Sequence, residues 1–306
     1  MAAKFVECSL GLKYRIFNSN GTVSGGPMYY LSSGLSKIGY AGLGKILAVF
    51  FAVSAVFGSF GGGNMFQANQ SYKLFGEFIG MPSYIYGILL AILVGIVIIE
   101  GIKRIGKTTE RIVPIMVVIY VCASLFIIFT NLSKLPNVIT EIFSQAFSTN
   151  ALYGGFIGVL VTGIKRAVFS NEGGVGSASI AHSAAKTDEP IREGIVAMIG
   201  PFIDTIVVCF MTASVILITA DINPLYQVGG GINGAELTSA AFGSVISWFP
   251  YILSIVVFLF SFSTMISWYY YGDKGWKYLF GSSSIKIYQG MYLGCVVLGS
   301  VASLGN

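Results

Sequence analysis

The sequence predicts an all-α polytopic membrane protein, and three observations carry the prediction. Only 10% of the 306 residues are charged and 55% are hydrophobic, where a soluble domain would carry about a quarter charged; the mean hydropathy is +0.78. Apolar runs close to the ~20 residues needed to cross a bilayer recur along the chain. The lysines and arginines are divided unevenly between successive loops, as the positive-inside rule requires.

Residues 1–12, MAAKFVECSLGL, are too short to cross and lack the charged start of a signal peptide. They read as the tail of a helix, a partial span. The Gly/Ser/Asn-rich stretch 17–34 reads as a turn-rich loop. The first full span is 44–69, interrupted by Gly58, Gly61, Gly62, Gly63 and Asn64 and followed by the polar Gln67, Asn69 and Gln70. Spans at 83–104 and 111–132 flank a short turn, RIGKTTER at 104–111. Pro114 then falls in the first turn of the second helix, where a missing N–H costs little.

Residues 133–149 alternate apolar and polar side chains at helical spacing and predict an interfacial helix. The region 151–185 reads as a broken span, and 193–219, 240–271 and 287–306 as further spans. A glycine-rich stretch without basic residues, 220–238, reads as an extracellular loop. If the chain alternates sides starting with Lys13 and Arg15 in the cytoplasm, the basic clusters at 37–45, 103–111, 186–192 and 274–286 share that side. Lys73 and Lys134 are left facing outward. The expectation is a single multi-pass domain in the cell membrane, plasma or inner, with the lipid bilayer as its surroundings. Because it starts and stops within apolar segments, the chain reads as a fragment cut at both ends. The net charge of +5 follows from the loop bias and calls for no nucleic-acid partner. Cys8, Cys122, Cys209 and Cys295 sit singly, so no disulfide or metal framework follows.

The richest chemistry lies in RAVFSNEGGVGSASIAHSAAKTDEP, residues 166–190. Polar, glycine-rich backbone at membrane depth is tolerated only where it faces protein or a water-filled cavity, and broken helices of this kind mark solute and ion sites in secondary transporters. Glu172 and Asp204 are acids within or beside spans, which makes them functional candidates. Lys165 and Arg166 precede Glu172 closely enough for an ion pair or gate. Ser261, Ser263 and Thr264 align hydroxyls beside Trp268; such oxygens suit a hard cation, and the ring can wall a small pocket. Gln67 is an amide at membrane depth that needs several hydrogen-bond partners.

A rival reading is an intramembrane enzyme with Ser177 or Ser179 as nucleophile and His182 as base. It lacks an orienting third group, and GSAS is not a GxSxG elbow. The absence of GxxxxGK[ST] leaves an ion gradient, not ATP, as the energy source.

The blocks GGPMYYLSSGL at 25–35, GNMFQANQ at 63–70, RAVFSNEGGVGSASIAHSAAKT at 166–187, FIDTIVVC at 202–209 and STMISWYYYGDK at 263–274 together resemble the sodium:alanine symporters, the alanine or glycine:cation symporter family. The resemblance implies a leucine-transporter-like inverted-repeat fold, with this chain missing the first helix, unwound at a GTGN-like motif, and the last span. It implies inward sodium flow coupled to uptake of a small neutral amino acid, alanine or glycine, by alternating access, with sodium as coupling ion and no other cofactor. It further implies substrate contacts from Gln67, Phe66, Asn171, Gly173, Gly174 and Trp268, and sodium contacts from Ser263 and Thr264. An inactive truncated remnant is the alternative. NEGGVGSAS stands where relatives commonly show NEAGLGSAP, small changes that affect the flexibility of the break more than the substrate class.

Overall fold

A computed structural model describes residues 1–18, 21–146, 156–220 and 234–302. They form twelve helical stretches and one short hairpin. In chain order these are α1 (Ala2–Lys13), the antiparallel pair β1 (Ile16–Phe17) and β2 (Val23–Ser24), α2 (Pro27–Lys37), α3 (Ala41–Gly76), α4 (Ser83–Ile98), α5 (Ile102–Thr130) and α6 (Leu135–Ala146). Then follow α7 (Phe156–Asn171), α8 (Ser177–His182), α9 (Pro190–Ile218), α10 (Ala235–Gly243), α11 (Phe249–Phe280) and α12 (Ile285–Val301). Among the described residues, α3, α5, α9 and α11 are long and apolar enough to cross a membrane.

Several elements differ from expectation. The stretch 17–34 is not all loop: β1 and β2 pair across it, and GGPMYYLSSGL forms α2, started by Pro27 at the first helical position behind Gly26 at φ +108°. Proline suits that position because its fixed φ is already helical and its missing donor is not needed. RIGKTTER is helical rather than a turn. The chain reverses at Gly101, φ +75°, and α5 starts at Ile102, which puts Pro114 well inside the helix. At ~1.5 Å per residue the 29 residues of α5 outrun the ~30 Å hydrocarbon core, so its basic first turns can project beyond lipid while staying helical. The 240–271 run is divided between α10 and α11 at residues 244–248, with Pro250 opening α11. The expected 220–238 loop lies mostly outside the described residues, as do the start of the 151–185 region and the ends of the 133–149 and 287–306 segments.

Two buried cores organise the molecule, and α11 runs through both. Met265, Ile266, Tyr269 and Tyr270 of its second half pack with α3, α4 and α12 around Tyr288 and Tyr292. Phe249 and Leu253 of its first half pack with α5, α9 and α10 around Phe242 and Ile127. A smaller contact of Cys8, Ala178 and Ala197 joins α1, α8 and α9. The centre of α11, where Ser263 and Thr264 lie, therefore falls at the junction of these packed bodies.

Candidate functional site

The site begins with a failure of helix. α7 stops at Asn171 and α8 resumes at Ser177. Between them Glu172 has φ +54°, Gly174 +91° and Gly176 +85°, a left-handed region that L-residues disfavour. Glu172 is the only non-glycine residue with positive φ among those described. The Asn171 side chain organises the turn: its Oδ1 accepts from the Gly173 N–H at 2.8 Å, and its Nδ2 donates to Thr205 Oγ1 at 2.9 Å. An asparagine bonding the backbone two residues on is a standard way to leave a helix. Ser177 Oγ donates to Glu172 Oε2 at 2.6 Å, and Lys4 Nζ donates to the Asn171 carbonyl at 2.9 Å.

Beside this break lies a cavity of about 610 Å³, within the roughly 300–1,000 Å³ of small-molecule sites. Asn171, Glu172, Asp204, Ser263, Thr264 and Trp268, all singled out in the sequence, line it together with Lys4, Ser170, His182, Ser267 and Tyr271. Asp204 sits on a π-helical stretch of α9, Phe202–Cys209, that follows Pro201; proline removes a helix donor and forces such adjustments. Its Oδ2 accepts from Ser170 Oγ at 2.6 Å and Thr205 Oγ1 at 3.2 Å. Ser263 Oγ donates to the Phe260 carbonyl at 2.9 Å and Ser267 Oγ to the Ser263 carbonyl at 2.9 Å. These bonds engage the protons and leave hydroxyl lone pairs for a cation. Ser261 is buried but lies off the cavity.

Gly173 and Gly174 shape the break without lining the cavity. Gln67 and Phe66 also lie off it. The glycine-rich part of α3 stays helical as a π turn, Gly61–Met65, and Gln67 Nε2 donates to the Gly62 carbonyl at 3.2 Å. Phe66 packs edge-to-face on Phe169, centroids 5.5 Å apart. The glycines serve close approach: a Cβ on Gly63 would run into the Trp268 indole.

The expected ion pair is not formed. Lys165 and Arg166 are exposed on α7, and the hydrogen bonds to Glu172 and Asp204 come from hydroxyls instead. Six or seven residues along a helix advance it by roughly 9–10 Å, so these side chains start about two turns away from Glu172. Sequence reasoning missed Lys4 and Glu7 as site residues. The signal was present, a Lys and a Glu three apart in an otherwise apolar segment. Glu7 faces the backbone amides of Gly176 and Gly174 beside Lys4 and Glu172. Tyr30 of α2 approaches Gly176 from outside the apolar runs; burial first, then the nearby Glu7 carboxylate, pushes its phenol pKa up, so it stays neutral there.

A family model described as the sodium:alanine symporter family matches residues 1–306. The chain belongs to the sodium:alanine symporter family. It is 42% identical over 99% of its length to the "Sodium/alanine symporter AgcS" of Methanococcus maripaludis, covering 66% of that protein. It is 35% identical to the "Probable sodium/glutamine symporter GlnT" of Bacillus subtilis, over 99% of this chain and 61% of the relative. It is 33% identical to the "Amino-acid carrier protein AlsT" of the same organism, over 99% of this chain and 62% of the relative. The chain thus spans just under two thirds of the length of the curated relatives it matches. The sodium:alanine symporter family is one of transporters, which sets the enzyme reading aside. The geometry gives that reading no support either: Ser177 and Ser179 donate to Glu172 and the Gly176 carbonyl, while His182 Nδ1 is 2.5 Å from Glu193 Oε1.

Proposed function

We propose that the chain forms the solute- and ion-holding part of a secondary symporter that couples inward sodium flow to uptake of a small neutral amino acid, alanine or glycine. One observation carries this reading: Asn171 and Glu172, where the helix breaks, and a row of hydroxyls on α11 line the same cavity. Exposed amides and carbonyls at such a break can hold a zwitterion without ionised side chains, and hydroxyl oxygens suit a hard cation. Sodium binds at Ser263 and Thr264. The amino acid lies against Asn171 and Trp268, with Gly173 and Gly174 shaping the break beside them. Glu172 and Asp204 act as gating carboxylates, and Gln67 and Phe66 reach the solute by a local shift of the π turn. Lys165 and Arg166, at the surface of α7, drop out of the gate. The domain, 1–306, crosses the cell membrane several times within a leucine-transporter-like inverted repeat. Each ligand raises the other's affinity by the same factor, because binding free energies are reciprocal.

The test is uptake of labelled alanine by the purified protein in liposomes with an inward sodium gradient. Uptake that collapses when the gradient is removed, and Thr264→Ala raising the sodium concentration for half-maximal uptake, are expected. Alanine uptake indifferent to sodium would overturn the coupling. No uptake of any small neutral amino acid favours the inactive remnant instead.

A further inference from the structure

α1 meets both sides of the helix break with opposite charges. Lys4, 7% exposed, donates to the Asn171 carbonyl, the last of α7. Three residues later and on the same helix face, Glu7 faces the amides of Gly176 and Gly174, and its Oε2 is buried without a hydrogen-bond partner. Gly11, a further turn on, lets α1 press against Ser179, since a Cβ there would lie 2.7 Å from the Ser179 carbonyl oxygen. A helix that stops leaves carbonyls without donors and a helix that starts leaves amides without acceptors. The Lys4 and Glu7 charges have the signs that suit these two ends.

We propose that Lys4 and Glu7 are positioning residues of the site, a charge clamp that holds the break at 172–176 in the shape the solute meets. The clamp acts through Asn171 and the glycine amides, and it rests on the symport reading above. Glu172 lies near Glu7 and is held by Ser177. The clamp therefore keeps two carboxylates side by side with one buried ammonium between the helices, and loss of one charge disturbs the shape of the break more than the packing of α1.

The experiment combines transport kinetics with hydrogen exchange on the 306-residue chain. Glu7→Gln keeps the size and an acceptor but removes the charge; Lys4→Met keeps the stem and removes the donor. Each is expected to raise the alanine KM about tenfold, with maximal uptake per reconstituted protein within about twofold, and Glu7→Asp is expected to recover most of the loss. In detergent, peptides covering 170–180 are expected to exchange about tenfold faster in Glu7→Gln, while peptides from α4 stay unchanged. An unchanged KM with uptake falling only in proportion to protein yield, or unchanged exchange at 170–180, overturns the clamp. Absence of sodium-driven uptake by the parent protein overturns the function reading alone, because the exchange comparison then decides the clamp without transport.

Discussion

Two glycine-rich, asparagine-containing segments, 61–65 and 171–176, look alike in sequence and fold differently. The first stays helical as a π turn inside α3. Gln67 donates to its Gly62 carbonyl, and Asn64 donates to the Tyr292 carbonyl at 2.8 Å. The second leaves the helix altogether, with Glu172, Gly174 and Gly176 at positive φ and Asn171 turned back on Gly173. The difference shows what glycine contributes in each place. In α3 it removes a side chain so that Trp268 can approach; at 172–176 it supplies a backbone conformation that other residues resist.

The sharpest way to break this comparison is Gly176→Ala. The new Cβ would lie 2.7 Å from Pro27 Cγ and 3.1 Å from Phe51, on a left-handed backbone that alone costs about 1–2 kcal/mol. Sodium-driven uptake is expected to fall by roughly tenfold or more, since ~1.4 kcal/mol corresponds to a factor of ten; near-normal uptake would mean the break relaxes freely. Gly63→Ala tests the other segment. Overpacking against Trp268 is expected to cost about 1–3 kcal/mol, read as a lower unfolding temperature with a raised alanine KM.

Gln67→Ala separates two roles for one side chain. Losing the bond to the Gly62 carbonyl is expected to destabilise α3 by about 0.5–1.5 kcal/mol. If the alanine KM stays constant while stability falls, Gln67 supports the π turn and does not touch the solute. The smallest effects come from a matched pair of glycines with open space around the missing Cβ. Gly174→Ala, at φ +91°, is expected to lose about 1 kcal/mol. Gly61→Ala, at φ −80°, is expected to gain up to about 1 kcal/mol. Equal signs in thermal unfolding would erase the distinction between the segments.

Much of this was readable in advance because its causes are local. The break after Asn171 follows from an asparagine followed by glycines, and the hydroxyls of Ser263 and Thr264 stand out against an apolar helix. The errors share a cause too. RIGKTTER reads as a turn because charges are costly in lipid, yet a helix longer than the bilayer can carry them outside. GGPMYYLSSGL reads as loop by composition, while Pro27 starts a helix. Lys4 and Glu7 went unread as site residues because their partners lie across the chain, with Lys4 and Asn171 separated by 167 positions.

Hydropathy, the glycine and asparagine positions and the loop charges, all short-range properties, were enough for the membrane class, the existence of the 172–176 break and most of the polar side chains at the cavity. Which of those side chains meet, and whether a glycine-rich turn bulges or breaks, depended on what packs against it. Asn64 finds its acceptor 228 positions away, and Gly63 is hemmed in by Trp268. Backbone preferences at such glycines are nearly degenerate, so contacts from distant segments choose between conformations that the local sequence leaves almost equal in energy.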